Sequence, residues 1–364
     1  MVLGASNGFP CRLQFANTPV ALRTDAAGTV SDFSGFAARG PDGRYYTTAA
    51  HDAAVSVWDA RGQFVRNFGV EGRGPGEFAR GDKAILIDQQ SRVYVATNGR
   101  WAIFSPALEL VRTMSAATTG FNDDYLTFLD DGTLLSAQSV RSGAEDFFRI
   151  FDFTREDPGA PAAGGARGPA LGGPALVRSF GPLADGGRAA PPSRNRRISY
   201  AGGNTFWTLP PDGAGCGYEL QLWRTDGTLL RTLRRDVPWF PTGAQAMQGV
   251  GNRPPPELEV VHDDGTGLLF IVAVVANDSY KPLPEIRDFA EQQAAMESMI
   301  DIYAEVIDTN AGVVLASNGP MRHTAALAML PRGLFPRTRQ GYQPEETADG
   351  LAVMRIVDLQ LVGK

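Results

Sequence analysis

The chain has 364 residues, 43% of them hydrophobic and 20% charged, with a net charge of −6 and a pI near 5.2. These values fit a globular chain with a substantial core. They argue against a generic nucleic-acid binder, which needs clustered excess base to neutralise phosphate. The longest apolar run, GLLFIVAVVA at 267–276, is too short to cross a bilayer as a helix and reads as a buried strand.

Lysine occurs only at 83, 281 and 364, so arginine carries nearly all the positive charge. With so much Ala, Gly and Pro, this reads as the codon bias of a GC-rich genome. Arginine forks chosen for carboxylates would act only at single sites. Cys11 and Cys216 are the two cysteines, which excludes a cysteine-built zinc site and allows at most one internal disulfide.

The N-terminal MVLGASNGFPC has neither a charged n-region nor a long apolar h-region, so it is not an intact signal peptide. Two locations follow: extracytoplasmic and membrane-peripheral if the chain begins after processing, cytoplasmic otherwise. Residues 11–24, CRLQFANTPVALRT, have strand character. Beyond them the chain repeats. VSVWDARGQFVRNFG (55–69) recurs as WAIFSPALELVRTMS (101–115), then as FRIFDFTRED (148–157) completed by ALVRSFG (175–181). LQLWRTDGTLLRTLR (220–234), AEVIDTNAGVVLASNG (304–319) and MRIVDLQLVG (354–363) follow. Each copy is preceded by a hairpin, such as LIDQQSRVYVAT or FLDDGTLLSAQ, whose Asp-Gly or Gly-Asn turn joins two β-rich strands.

Trp58, Phe104 and Phe151 are spaced by 46 and 47 residues. The next intervals, to Trp223, Ile307 and Val357, are 72, 84 and 50, and the two long ones contain inserted segments. A mid-forties period with four short strands per unit is the signature of a β-propeller, and six units make six blades. The expected fold is an all-β, six-bladed propeller of four-stranded antiparallel blades in one domain. Blade one covers about 25–69, blade two 70–115, blade three 116–181, blade four 182–235, blade five 236–319 and blade six 320–364. Strand 11–24 is expected to complete blade six and close the ring, which removes a free seam. On that closure Cys11 lies on blade six and Cys216 in a blade-four loop. A bridge between them would require Cα atoms within about 7 Å and a loop reaching across blade five.

The stretch NFGVEGRGPGEF (67–78) connects blades one and two. A phosphate-binding loop would need Lys-Ser or Lys-Thr and then a helix; Glu77-Phe78-Ala79 and a strand follow instead. With AILIDQQSRVYVATNGRWAIF after it, this stretch resembles the NHL-type repeat of six-bladed propellers. The match is best over residues 36–115. Thr97 and Asn98 stand where that family has Ala-Asp, and the later blades share only the rhythm.

Four departures from the repeat are candidates for function. The Gly-, Ala- and Pro-rich segment 155–175 is expected to be a flexible loop. Segment 184–197 is similar but carries Arg188, Arg194, Arg196 and Arg197, which suit an acidic partner or anionic headgroups as well as a solvated linker. PLPEIRDFAEQQAAMESMIDIY (282–303) is the expected helix, with Ile286, Phe289, Gln293, Met296 and Ile300 at helical spacing. Its apolar face either packs on its own blade or docks a partner. Trp239, Phe240, Phe335 and Tyr342 lie in proline-rich loops as interface anchors or as lids over their own blades.

His51, His262 and His323 show no close metal-ligand spacing and read as neutral turn histidines. Asp88, Asp130, Asp131, Asp212, Asp263 and Asp264 fall in hairpin turns, where Asp favours the local geometry. There is no G-x-S-x-G elbow. The expected function is a non-catalytic protein–protein interaction scaffold, an extrinsic accessory subunit of a larger bacterial assembly. Membrane complexes are among its candidate partners, and neither nucleic acid nor a cofactor is expected. The alternative, taken from lactonase-like relatives of the NHL-type fold, is a hydrolase or lyase with a divalent metal such as calcium in the channel.

Overall fold

The computed structural model describes the chain except for residues 1, 4–7, 26–28, 82, 98, 117–118, 120–124, 138–145, 158–170, 183–196, 210–216, 241–252, 255, 282–288 and 364. The fold is a six-bladed propeller of small antiparallel sheets. Blade one is Ala37–Arg39, Tyr45–Thr47, Val55–Trp58 and Phe64–Phe68. Blade two is Ala84–Ile87, Val93–Thr97, Arg100–Phe104 and Leu110–Ser115. Blade three is Leu126–Phe128, Leu134–Ser136, Asp146–Asp157 and Gly173–Pro182. Blade four is Ile198–Gly202, Thr205–Thr208, Tyr218–Arg224 and Leu229–Arg235, and blade five is Glu257–Asp263, Leu268–Ala276, Ile300–Asp308 and Val313–Arg322. Blade six is Gly333–Leu334, Gln340–Glu346 and Ala352–Gly363, with Cys11–Arg23 as its outermost strand.

Four features differ from the sequence reading. Blade four has five strands, because Val2–Leu3 adds in parallel to Leu229–Arg235. Leu3 is buried there, and its carbonyl accepts from the backbone N–H of Asp236 at 3.1 Å and from Arg235 Nη1 at 3.3 Å. Both ends of the expected loop 155–175 are strand, with Glu156 opposite Pro174 and Asp157 opposite Gly173 after a register shift beyond Asp152. The expected helix 282–303 is helical over Phe289–Met299, and Ile300 to Tyr303 is strand paired with Ala276 to Ala273. Ile300 satisfies the helical spacing by coincidence. The following IDIYAEVID alternates with period two and has a long apolar strand to pair with, and that pairing prevails. A second short helix, His323–Met329, was not expected.

The chain divides into two compact units, residues 17–185 with 340–357, and residues 1–16 with 186–339 and 358–364. In the first, Val93–Thr97 shows how the blades pack. Val93 and Val95 enter a cluster with Val55, Val57, Phe68, Phe78 and Phe104, whereas Tyr94 and Ala96 enter one with Trp101, Phe128, Leu134 and Phe153. In the second, Leu269, Ile271 and Ala273 join Tyr218, Leu220 and Leu233, and Phe270 and Val272 join Leu13 and Leu359. A strand buried on both faces reads as a continuous apolar run, which is why alternation is weak in these segments.

Side-chain polar groups fix the repeats. Asp59, Asp88, Asp131, Asp226, Asp264 and Asp308 each accept the backbone N–H two residues on. For Asp88, Asp131 and Asp264, read as turn residues from the sequence, this local bond is the basis; Asp212 lies outside the described residues. Trp58, Trp101 and Trp207 are fully buried, and their indole N–H groups reach Thr47 at 2.9 Å, Thr119 at 2.7 Å and Asp263 at 3.1 Å. The third residue of an outermost strand is repeatedly arginine, and it donates to a carbonyl in the next blade's outer hairpin. Arg66 reaches Ala107 at 3.0 Å, Arg112 reaches Thr154 at 3.5 Å and Arg231 reaches Thr309 at 2.5 Å.

The glycine-rich connection folds on itself. Val70–Glu71 pairs in parallel with Glu77–Phe78, and the Glu77 carboxylate accepts the Gly74 N–H at 2.6 Å. Arg100 donates to the carbonyls of Arg73, Gly74 and Glu77. The loop is filled by its own carboxylate.

Candidate functional site on blade five

Blade five carries the helical cap, and a single asparagine ties the cap at its base. The Asn277 backbone N–H donates to the Met299 carbonyl at 3.0 Å, and its side-chain amide donates to Ser298 O and Asp301 Oδ1, both at 3.2 Å. Its Oδ1 accepts from the Ser279 N–H at 2.9 Å. The two ends of the insertion are thereby held together, as in an Ω-loop. Met299 is buried and Met296 half-buried, so this side of the helix faces protein.

On strand Ile300–Asp308, residues 301, 303 and 305 share one face. Trp239 stacks on Tyr303 with centroids 3.9 Å apart and planes 4° from parallel. Burial, and then the charge of Asp301, push the Tyr303 phenol above its ordinary pKa. Next along, Glu305 is buried in an ion pair with Arg235. Beside Asp301 a cleft of about 290 Å3 opens, lined by Asn277, Asp278, Ser279, Asp301, Pro320 and Arg322.

The expected contact residues divide accordingly. Trp239 is half-buried beside this face. Phe240, 1% exposed, is core and packs on Tyr218 at 5.2 Å; Phe335 at 1% and Tyr342 at 7% are also buried. These three side chains are therefore enclosed by the protein itself. Arg197 pairs with Glu259 at 2.8 Å. Phe289 opens the helix. Ile286, Arg188, Arg194, Arg196 and Cys216 lie outside the described residues. Asn277, Asp301, Tyr303 and Arg322 were missed; for Asp301 and Tyr303 the available signal was the Asp-Ile-Tyr-Ala-Glu alternation, which the helical reading of 282–303 concealed.

The acid-rich end of blade five's innermost strand is fully engaged. His262 Nε2 lies 2.7 Å from Thr338 O. Asp263 accepts from Trp207 and from the Gly265 N–H, and Asp264 is held by Arg339 at 2.6 Å. Burial pushes the His262 imidazole below its ordinary range, against the opposing pull of the Thr338 carbonyl and Asp264. Burial likewise raises Asp263. Asp264 is lowered on balance, because Arg339 and Thr266 outweigh its burial. Among the described residues no group of three or more His, Cys, Asp or Glu side chains is placed to hold a metal ion.

A neutral buried histidine has a stability signature. The unfolded chain takes up a proton near His262's ordinary pKa of about 6.5, which the folded chain resists. Stability should therefore fall on acidification below that value, with a slope of at most about 1.4 kcal/mol per pH unit from this residue. His262→Gln keeps a donor for Thr338 without the titration. Denaturant melts at stepped pH should show a flatter profile for this variant between about pH 7 and 5; an unchanged profile would assign the slope to other groups.

At the level of sequence, no family model and no curated protein matches the chain. Solved structures do resemble it. A candidate exported protein from Bacteroides fragilis superposes with a TM-score of 0.58 at 11% identity, covering 99% of this chain and 100% of that one. The hydrazine synthase of Kuenenia stuttgartiensis gives 0.46 at 11% identity over 92% of this chain and 80% of that one. Virginiamycin B lyase from Staphylococcus aureus gives 0.42 at 9% identity over 96% and 100%. At such identities the likeness concerns the fold alone. No helix among the described residues is long and apolar enough to cross a membrane.

Proposed function

We propose that this chain is a non-catalytic interaction scaffold of NHL-type propeller architecture, an extrinsic accessory subunit that acts outside the cytoplasm at a membrane-associated bacterial assembly. The observation that carries the reading is the blade-five cap. It is a helical insertion absent from the repeat, tied at its base by Asn277 and raised on a rigid sheet. Elements added to a propeller and held rigidly are well suited to present a surface to a partner. The engagement of His262, Asp263 and Asp264 within their own hydrogen bonds also supports a structural role for the groups that a metal-dependent hydrolase or lyase would use.

The test removes the cap and keeps the blade. Ala276 and Ile300 are cross-strand partners, so a two-residue Asn-Gly turn can replace residues 277–299. Tagged wild-type and shortened chains, both checked for cooperative unfolding, are used to capture partners from the native source. A stoichiometric partner held by the wild type and lost from the shortened chain is the expected result. Equal capture by both would reject the cap as the docking element. Stoichiometric calcium or zinc in the purified protein would favour the hydrolase or lyase instead.

A further inference from the structure

The cleft at the foot of the cap has a charge arrangement that the scaffold reading does not use. Asp301 and Arg322 are direct cross-strand partners in an antiparallel pair, so their side chains leave the sheet on the same side. Opposite charges in that relation usually close on each other. Here no ion pair joins them. Asp301 accepts from the Asn277 amide at 3.2 Å, and the Arg322 guanidinium has no hydrogen bond or ion pair with a described residue. Asp278, the other carboxylate on the cleft, is tied to Arg253 at 2.8 Å. Among the described residues, the walls therefore present one carboxylate and one guanidinium that neutralise neither each other nor a third charged group.

A simple anion would satisfy Arg322 and be repelled by Asp301, and a simple cation would do the reverse. A molecule carrying both charges a few bonds apart satisfies both. The guanidinium fork matches a carboxylate bidentately, and Asp301 accepts from an ammonium, with the Ser279 hydroxyl and the Asn277 amide as neutral neighbours. The volume, about 290 Å3, sets the scale. At about 30 Å3 per water it holds on the order of ten waters, which suits a free amino acid and not a nucleotide or an oligosaccharide. We infer that this cleft is a binding site for a small zwitterion of the α-amino-acid type.

Isothermal calorimetry on the full chain tests this with glycine, L-alanine, L-serine and L-leucine singly. Sodium acetate and methylammonium chloride serve as half-ligands at matched ionic strength. At least one amino acid should give a saturable isotherm, and neither half-ligand should. Asp301→Asn and Arg322→Gln should each weaken that binding at least about tenfold, as expected for loss of a charge-assisted bond. Arg322→Lys, which keeps the charge but not the fork, should lie between. The absence of binding by all four amino acids overturns the assignment. So does binding indifferent to both neutral substitutions, or acetate binding as well as the amino acid. Arg322 is exposed and Asp301 half-exposed, so unfolding of the variants is not expected, and the half-ligand comparison on the wild-type chain needs no variant.

Discussion

Glu305→Ala should lower the stability of the folded chain by about 3–5 kcal/mol, the range for breaking one side of a buried ion pair. Arg235 and Glu305 are each 1% exposed and meet through two bonds, Nη2 to Oε1 at 2.9 Å and Nε to Oε2 at 3.0 Å. The third arm of the guanidinium donates to the Leu3 carbonyl. The pair thus joins the outer strand of blade four, the third strand of blade five and the N-terminal strand. Removal of the carboxylate leaves the guanidinium without its counter-charge in a site closed to water. Arg235→Met should cost a similar amount, by stranding the carboxylate. Burial, followed by the charge of Glu305, pushes the nearby Tyr218 phenol well above its ordinary pKa. The double variant Arg235→Met/Glu305→Leu should recover most of the loss, because desolvation of two ions offsets much of their attraction. Guanidinium unfolding midpoints at constant m-value measure all three. Single variants within about 1 kcal/mol of wild type would mean that water reaches the pair.

That ion pair marks the limit of what was legible. Arg235 and Glu305 are 70 residues apart, and nothing local distinguishes them from other charged strand residues. The propeller was readable because its determinants are local and repeated. The hairpin aspartates bond to backbone two residues away, and the apolar runs recur at 46, 47 and 50 residues wherever no segment is inserted. The arginine at the third position of the outer strands was visible in FVRNF, LVRTM and LLRTL, but its use is contact with the following blade, which no single repeat reveals. Val2–Leu3 was missed because two residues carry no periodicity, and their place is set by a strand more than two hundred positions away. The cap was detected and its end misplaced. Helical spacing and strand alternation overlap at Ile300, and only the pairing with Ala276 decides between them. Asp301 and Arg322 become neighbours through that same pairing, so the cleft was hidden with it.

The glycine-rich connection yields the second large effect, and it is a coupled one. Gly69 has φ of +77°, and a Cβ built there would collide with the ring of Phe78. That ring cannot withdraw. It is 0% exposed and stands edge-on to Phe68 and Phe104, with centroids 6.1 and 5.9 Å away. Gly69→Ala therefore combines a left-handed backbone penalty of about 1–2 kcal/mol with overpacking of about 1–3 kcal/mol. Phe78→Ala fails for the opposite reason, leaving a cavity among aromatic rings at a cost of about 3–5 kcal/mol. The double variant should be less destabilised than the sum of the two, since the new methyl then enters the space the ring has vacated. What remains of Gly69→Ala in that background is the backbone term. A coupling energy of about 1–3 kcal/mol, read from a double-mutant cycle of denaturant midpoints, is the expected value. Strict additivity would show that the cost at Gly69 is conformational alone. The glycine would then serve the turn, and the packing of Phe78 beneath it would be incidental.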